Sequence, residues 1–392
     1  MGRFLLVVYV VVVKVVALVV GVVMAGGSGG PGAPRVPALV PPPAVGYVPA
    51  GGTNDVSPRA TVTAFVANGT FTDVALRGPG GRPVAGEFNA ERTAWTVREP
   101  LGYGQAYTWR GTAAGTDGTL VRLAGSFTTA RPEQTVRARI NIDDGTTVGI
   151  AAPIAIRFEG PVRDRAAVER ALSVRTSVPV EGSWAWLPAD SNGELRVHWR
   201  PREYWPPGTR VTVTADLYGV HYGDGAFGAK NITRTFTIGR PQIVKADVNT
   251  HRMIVIRDGR QVADFPASYG SGSHPATVTR SGIHVVSAMY KSVRMASPRF
   301  GYDGMYASAV LISANGEFIH ANPESLRQQG RVNVTHGCVN LSPKNARTYF
   351  NMAMYGDPVV VTGTSIPLSL ADGDYADWTF RWEAWQRLSA LR

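Results

Sequence analysis

The segment Thr335-His336-Gly337-Cys338-Val339-Asn340 carries the only cysteine of this 392-residue chain. A second histidine, His320, lies upstream at the end of Gly316-Glu317-Phe318-Ile319-His320. A single thiol cannot form an internal disulfide, and a thiol becomes a strong nucleophile only when a base removes its proton. The two segments therefore predict a cysteine nucleophile, Cys338, with an imidazole as its base.

Either histidine of these segments can serve as that base. His336 is two residues from Cys338, so both side chains point the same way if the segment is extended. His320 has to be brought to the thiol by the fold. Gly337 permits a sharp backbone conformation, which can turn the N–H groups of Gly337 and Cys338 toward a developing oxyanion.

Other polar groups are candidates for substrate contacts. Asn340 offers an amide that can hold the loop or a substrate, and Tyr302 and Tyr306 can donate hydroxyls from a facing segment. The remaining histidines, His251, His274 and His284, are interpreted as ordinary surface or loop residues.

Two alternatives compete with the nucleophile. A lone cysteine is often a small buried apolar residue, which would make Cys338 structural. A zinc site built from His320, His336 and Cys338 is the chemical alternative, but no carboxylate is placed to orient such ligands. The adjacent His336 and Gly337, with the second histidine His320 on a predicted strand, favour the nucleophile over the zinc site.

Composition and charge limit the class of protein. The chain is 44% hydrophobic and 18% charged, as expected of folded domains, and its formal net charge is +11. This charge predicts an anionic partner such as an acidic wall polymer or a membrane surface. The basic residues are scattered and form no known nucleic-acid module, so no nucleic-acid partner is predicted.

The N-terminal region predicts export. Residues 1–25 are almost wholly apolar, with Lys14 inside the run, and form either a signal peptide or a membrane anchor. Residues 26–52 are rich in Gly and Pro and are expected to be an extended tether. Both alternatives place the rest of the chain outside the cytoplasm, in the cell envelope.

Two stretches, 53–131 and 135–239, show short alternating strands that are typical of immunoglobulin-like sandwiches. In the first, Val62, Ala64 and Val66 alternate with threonines and Phe65, and Asn68-Gly69 predicts a hairpin turn. Four tryptophans in the second, at 184, 186, 199 and 205, are predicted to fill its core rather than to form a sugar-stacking platform.

A third pattern covers residues 241–363. It predicts a hairpin that turns at Asp258-Gly259, a strand over Phe318–His320, and a helix that Ser342 caps and Gly356 ends. The extension 364–392 carries Trp378, Trp382 and Trp385 at helical spacing, and is predicted to clamp the tail onto the catalytic domain.

The stretch from Phe318 to Asn340 resembles the signature of bacterial L,D-transpeptidases. The family pattern is a histidine, a variable stretch, and then Ser/Thr-His-Gly-Cys-x-Asn, and the resemblance covers 241–363. The arrangement of the whole chain is similar to that of the multidomain enzymes of mycobacteria. The resemblance implies a mainly β protein, with two immunoglobulin-like sandwiches, a β-rich catalytic domain with a short helix, and a Trp-rich tail.

The resemblance also implies roles for single residues. Cys338 would be the nucleophile and His320 the base, oriented by the backbone carbonyl of Ala321, while His336 and Asn340 complete the catalytic loop. Substrate contacts are implied for Tyr302, Asn315 and Gly316, in a flap over the site. The loop from Thr277 to Gly282 is a loose version of the family's Thr-Pro-x-Gly stretch.

The activity implied by the resemblance is a two-step acyl transfer on peptidoglycan. The thiolate attacks a donor tetrapeptide stem, D-Ala leaves, and an acceptor amine of a neighbouring stem resolves the thioester into a 3→3 cross-link. Carbapenems would acylate the same thiol. Two alternatives stay open: an L,D-carboxypeptidase that uses water as the acceptor, and a wall-binding protein without catalysis.

Overall fold

The computed structural model describes residues 41–190, 192–373 and 375–392. The predicted signal or anchor segment and residues 26–40 of the predicted tether lie outside this part of the chain. Within the described part, no helix is both long and apolar enough to cross a membrane. The chain divides into two compact units, one that ends at Pro132 and one that begins at Glu133.

The first unit is a two-sheet β-sandwich. One sheet has the order β1-β2-β5-β4, and in the other β3 and β8 pair with β6, which also pairs with β7. Between them lie the buried side chains of Val62, Ala64, Val66, Trp109 and Phe127, as the alternating pattern predicts. The strands are β1 (Ala44–Val48), β2 (Thr63–Ala67), β3 (Gly69–Arg77), β4 (Gly86–Phe88), β5 (Ala94–Val97), β6 (Ala106–Gly115), β7 (Leu120–Arg122) and β8 (Gly125–Thr128).

Two predictions for this unit were wrong. The end of the predicted tether is strand β1, which pairs with β2, and its Tyr47 stacks on the core ring of Trp109 with 5.3 Å between centroids. Asn68-Gly69 does not close a hairpin, since β2 and β3 belong to different sheets. Asn68 instead takes a left-handed conformation, φ 57°, where the chain passes from one sheet to the other.

The second unit begins with another β-sandwich. Its main sheets have the orders β10-β12-β15-β14 and β11-β19-β16-β13. The four tryptophans at 184, 186, 199 and 205 are buried in its core, which confirms that prediction. The elements are β9 (Gln134–Val136), β10 (Ala138–Ile140), β11 (Thr147–Val148), β12 (Ile154–Phe158), α1 (Arg165–Arg170), β13 (Leu172–Thr176), β14 (Gly182–Leu187), β15 (Leu195–Pro201), β16 (Arg210–Ala215), β17 (His221–Gly223), β18 (Ala226–Gly228) and β19 (Ile232–Ile238).

The rest of the second unit contains two more sheets, with the orders β22-β21-β20-β28-β23 and β24-β25-β26-β27. Val244, Val310, Ile319 and Val359 belong to the apolar core that both sheets share. The strands are β20 (Gln242–Asp247), β21 (Arg252–Arg257), β22 (Arg260–Pro266), β23 (Gly282–Val285), β24 (Ala288–Ser297), β25 (Tyr302–Ser313), β26 (Glu317–Ala321), β27 (Val339–Leu341) and β28 (Pro358–Thr362).

Helix α2 (Pro343–Met352) packs against the second of these sheets. The Ser342 hydroxyl caps it by accepting a hydrogen bond from Asn345 N at 3.2 Å, as predicted. The helix ends at Met352, however, and not near Gly356. The reason is that side chains of Arg240 and Gln242 donate to the Met352 carbonyl, and Ala353 is extended.

The Trp-rich tail differs from its prediction in two ways. Trp382 and Trp385 lie in helix α3 (Trp382–Gln386), but Trp378 belongs to a separate 3-10 turn. All three indoles bond to the second sandwich: Trp378 Nε1 donates to Ala151 O, Trp382 Nε1 to Glu181 and Trp385 Nε1 to Ser183 O. The rings surround the buried Arg200 guanidinium, and the turn with Trp378 also lies against β23, so the tryptophans fasten the tail to the sandwich as well as to the predicted catalytic sheets.

Candidate active site

Pairing between β26 and β27 brings His320 and Cys338 into one groove. The two strands are parallel, with Ile319 opposite Val339 and His320 opposite Asn340. Cys338 directly precedes β27, two residues before Asn340, so strand alternation places it on the same face as His320. Both side chains line one groove, beneath the β24–β25 hairpin, which we call the flap.

The Cys338 thiol is held by the turn that leads into β26. The side chain is partly buried, and Sγ donates to Gly316 O at 3.6 Å. Burial raises the pKa of this thiol to about 11, a hydrogen bond from the Phe318 backbone opposes the rise, and the charge of Glu317 adds to it. The resting thiol is therefore protonated at neutral pH and needs a base before it can attack.

His320 has the protonation state of such a base. The ring is buried, and Nδ1 lies 2.9 Å from the carbonyl oxygen of Ala321, the contact that the family resemblance implies. A carbonyl only accepts, so Nδ1 carries the proton and Nε2 keeps a free lone pair. Burial lowers the pKa of His320 to about 4, against the effect of this hydrogen bond, so the ring is neutral at pH 7.

His336 is placed differently from His320. Its side chain is exposed, and its ring stacks on Phe300 and Tyr302, with centroid distances of 4.6 and 5.4 Å and an angle of 15° in both pairs. No carbonyl contact of the kind that fixes His320 is found for it in the described part of the chain. Of the two candidate bases, His320 has the better geometry, and His336 contacts the flap.

Two grooves beneath the flap lead to the Cys338 thiol. One groove runs past His320 and Tyr306 to Cys338, and a second runs past Asn315, Gly316 and Arg294 to the same residue. Tyr302 lies between them and lines both. The resemblance implies a flap that includes Tyr302, and in the structure the flap is the hairpin from Ala288 to Ser313. Its exposed strands lack the apolar alternation that indicates a half-buried strand.

The predicted substrate-binding amides are both anchored. Asn340 is buried, and its Nδ2 donates to Ser325 Oγ at 3.2 Å, while its Oδ1 has no hydrogen-bond partner in the described part of the chain. Asn315 is exposed at the turn, and its Nδ2 donates to Asp372 Oδ1 at 3.2 Å. The adjacent Gly316 has φ 95° and directs its carbonyl to the Cys338 thiol.

The expected oxyanion contact of Gly337 is not supported. Gly337 has the positive φ, 125°, that the sequence suggests, but its N–H donates to Thr335 Oγ1 at 3.2 Å. Its carbonyl accepts from Thr279 Oγ1 at 2.8 Å. Both polar groups of Gly337 are thus used to hold the loop, and the N–H of Cys338 stays as the predicted donor to an oxyanion.

The sequence analysis did not predict a cluster of buried polar side chains beside the loop that carries Cys338. His284 is fully buried and not a surface or loop histidine, and Glu317 begins β26 next to it. Arg280 bonds to Asp372 of the tail at 3.0 Å. Glu317 lies between Gly316 and Phe318 in the sequence. A single glutamate in a short strand is usually exposed, so the sequence did not indicate that this carboxyl is buried. Among the described residues, no group of three or more His, Cys, Asp or Glu side chains is arranged to hold a metal ion.

Comparison with known proteins agrees with this fold. Residues 53–221 match a bacterial Ig domain, and residues 241–361 match the L,D-transpeptidase catalytic domain. L,D-transpeptidase 5 of Mycobacterium tuberculosis is 52% identical over 354 residues, which cover 90% of this chain and 78% of that protein. L,D-transpeptidase 2 of the same species is 37% identical over 344 residues, covering 86% of this chain and 82% of that one.

A solved structure of an L,D-transpeptidase from Mycobacterium smegmatis is 30% identical, with a TM-score of 0.47, and covers 59% of this chain and all of that one. The fold and the matched domains define a mainly β enzyme in which immunoglobulin-like domains precede a transpeptidase catalytic domain. The chain belongs to the L,D-transpeptidase family.

Proposed function

We propose that this chain forms 3→3 cross-links in peptidoglycan through a thioester on Cys338. One observation carries the proposal: a neutral imidazole, His320, has its Nδ1–H fixed on Ala321 O and lines the same groove as the thiol. This arrangement leaves Nε2 free to take the thiol proton in the step in which sulfur attacks.

In the first step, His320 Nε2 accepts the proton of Cys338 as Sγ attacks the carbonyl carbon that joins the third residue of a tetrapeptide stem to D-Ala. The carbonyl oxygen becomes an oxyanion, to which the Cys338 N–H donates. The C–N bond then breaks, the proton on His320 passes to the leaving amine of D-Ala, and the acyl group remains on sulfur as a thioester.

In the second step, a side-chain amine of a neighbouring stem attacks the thioester carbonyl. His320 takes the proton that this amine loses and returns it to the departing thiolate, so the enzyme is restored without a cofactor. The two grooves that meet at Cys338 give donor and acceptor separate approaches. We assign substrate contacts to Tyr302, Asn315, Gly316 and Asn340, and a flap contact to His336.

The other parts of the chain fit an extracytoplasmic enzyme. We propose that 53–131 and 135–239 are spacer domains that carry the catalytic domain, 241–363, and its tail, 364–392, into the wall. The apolar segment 1–25 would export or anchor the chain. An excess of positive charge, +11, suits an acidic wall polymer.

The test uses the full chain with a disaccharide-tetrapeptide. Intact-mass spectrometry should show an acyl adduct on the wild type and none on Cys338→Ala, and product analysis should show a cross-linked dimer. A tripeptide as the main product would identify an L,D-carboxypeptidase instead, because the same thioester would then be resolved by water. No adduct on the wild type, with this substrate or with a carbapenem, would leave a wall-binding protein without catalysis.

A further inference from the structure

Next to the catalytic loop lies a carboxyl that the proposed mechanism does not use. Glu317 is buried, and the main chain on either side of it, at Gly316 and Phe318, holds the Cys338 thiol. A Cβ added to Gly337 would lie 3.7 Å from Glu317 Cγ. The Glu317 side chain therefore packs directly against the residue that precedes the thiol.

The two oxygens of this carboxyl have different surroundings. Oε1 accepts a hydrogen bond from Arg280 N at 2.9 Å. Oε2 is buried and has no hydrogen-bond partner in the described part of the chain, but it lies 3.8 Å from His284 Nδ1. An ionised carboxylate in this position is costly unless a positive charge lies beside it.

His284 can supply that charge. Its ring is fully buried, with Nδ1 3.2 Å from Ile312 O and Nε2 2.8 Å from Arg280 O. Carbonyl oxygens only accept, and a neutral imidazole has one N–H, so both contacts are satisfied only by the protonated ring. His284 Nδ1 lies 3.8 Å from Glu317 Oε2, so a single proton on either group makes the two buried side chains neutral together, and we call these two residues the proton pair.

Burial acts on both members of the proton pair. It raises the pKa of Glu317 to about 7, and it lowers the pKa of His284. The proton pair therefore loses its proton near or above neutral pH and becomes a net negative charge beside the thiol.

We propose that Glu317 is a positioning residue whose carboxylate, once the proton pair has lost its proton, opposes formation of the Cys338 thiolate. The resting sulfur then stays a thiol even in mildly alkaline conditions, and it is deprotonated by His320 only as it attacks. This inference rests on the proposed role of Cys338 as the nucleophile.

The other charges near the cluster do not replace this effect. The Arg280 guanidinium favours an ionised Glu317, but it is bound to Asp372, whose charge acts in the opposite direction. His320 is neutral above its pKa of about 4. The phenols of Tyr302 and Tyr306, across the groove, have raised pKa values, chiefly through burial, and stay neutral. His336 and Arg294 also line the grooves that meet at Cys338, but both are kept in every variant below, so a midpoint that changes with Glu317 alone reports on the proton pair.

The experiment measures the rate of alkylation by iodoacetamide against pH, for the full chain and two variants. Cys338 is the only cysteine, so all alkylation reports on it. Glu317→Gln removes the charge and keeps an acceptor for Arg280 N, and it should lower the pH midpoint of alkylation by roughly one unit. His284→Gln disturbs the same packing but leaves the carboxylate, so its midpoint should not fall.

An unchanged midpoint in Glu317→Gln overturns the inference, and so does an equal fall in both variants, which would indicate loosened packing. Asp264→Asn removes an exposed carboxylate, paired with Arg252, and should leave the midpoint in place. If Glu317→Gln does not fold, Glu317→Met removes the same charge in a similar volume. Alkylation requires no stem peptide, so this assay tests the effect of Glu317 on the thiol even if the chain fails to form cross-links in the assay with a disaccharide-tetrapeptide.

Discussion

Tyr306 of the flap places its ring edge-on against the imidazole of His320, with centroids 4.8 Å apart and planes at 75°. The proposed base is thus held from two directions, by the Ala321 carbonyl at Nδ1 and by an aromatic ring from the flap. A movement of the flap would therefore change the support of the base as well as the width of the grooves. The predictions below separate these contributions.

Replacing His320 by Gln should slow acylation of Cys338 by about 10²–10⁴-fold, because glutamine cannot accept the thiol proton. The measurement is the rate of adduct formation with a carbapenem, followed by intact-mass spectrometry. Replacing His251, which bonds to Asn333 away from the groove, by Gln is the matched control and should leave this rate near that of the wild type. A His320 variant that reacts at the wild-type rate would remove His320 as the base.

Replacing Tyr306 by Ala should slow the same acylation by roughly 3–10-fold, since an aromatic pair contributes about 0.5–1.5 kcal/mol. Tyr306→Phe keeps the ring and should retain most of the rate. If the Phe variant is as slow as the Ala variant, the hydroxyl and not the ring contact is responsible. Stopped-flow or quenched time courses with a carbapenem give the rates.

Removing the stack between His336 and the flap should weaken flap closure without removing the base. His336→Ala should therefore reduce the acylation rate by roughly 5–10-fold, because two contacts of an exposed ring are lost, each near the lower end of the range of about 0.5–1.5 kcal/mol for aromatic pairs. Met305→Ala changes an exposed residue of the same flap, 67% accessible, and should have no effect. A loss as large as that of His320→Gln would show that His336 takes part in proton transfer.

The raised pKa of Glu317 predicts a dependence of stability on pH. Its value moves from 4.5 to about 7 in the folded chain, through burial, so the folded state keeps a proton that the unfolded state has released. The contribution of the protonated Glu317 carboxyl to the stability of the folded state is complete below pH 4.5 and is lost as the pH rises through 7. Between these values, the wild type should lose on the order of 3 kcal/mol relative to Glu317→Gln.

Urea unfolding of both proteins at several pH values measures this difference. His284→Gln, measured alongside, gives the part that belongs to the partner of Glu317, and the remaining titrating groups are common to both proteins and cancel. Parallel curves for the two proteins would show that Glu317 ionises in the folded chain as it does in water.

Replacing Trp184 by Ala should affect folding far more than chemistry. Its ring is buried in the core of the second sandwich, so its removal should cost about 3–5 kcal/mol. Leu120→Ala, at a position that is 66% exposed, should cost little. Thermal unfolding measures the first effect, and the carbapenem reaction rate of the folded fraction should stay unchanged. A lower rate with normal stability would instead indicate a functional tryptophan.

Much of the fold could be predicted because local signals agreed with the tertiary structure. The turn at Asp258-Gly259 forms, with both residues at positive φ, because the two strands around it alternate and pack on one core. Asn68-Gly69 carries an equally good turn signal, but each flanking strand finds its partners in a different sheet. A two-residue signal describes a turn and does not determine which strands pair across it.

The order of residues alone determined the kind of chemistry on offer: one thiol, two histidines and a glycine, at a spacing that is typical of one enzyme family. Tertiary structure decided which histidine is supported as a base, because the β26–β27 ladder, the Ala321 carbonyl and the Tyr306 ring together fix the position of the His320 ring. It also decided that Glu317 and His284 are buried beside the thiol. The physical reason is that burial and charge depend on contacts between segments far apart in the chain, and these shift a pKa in ways that residue identity does not encode.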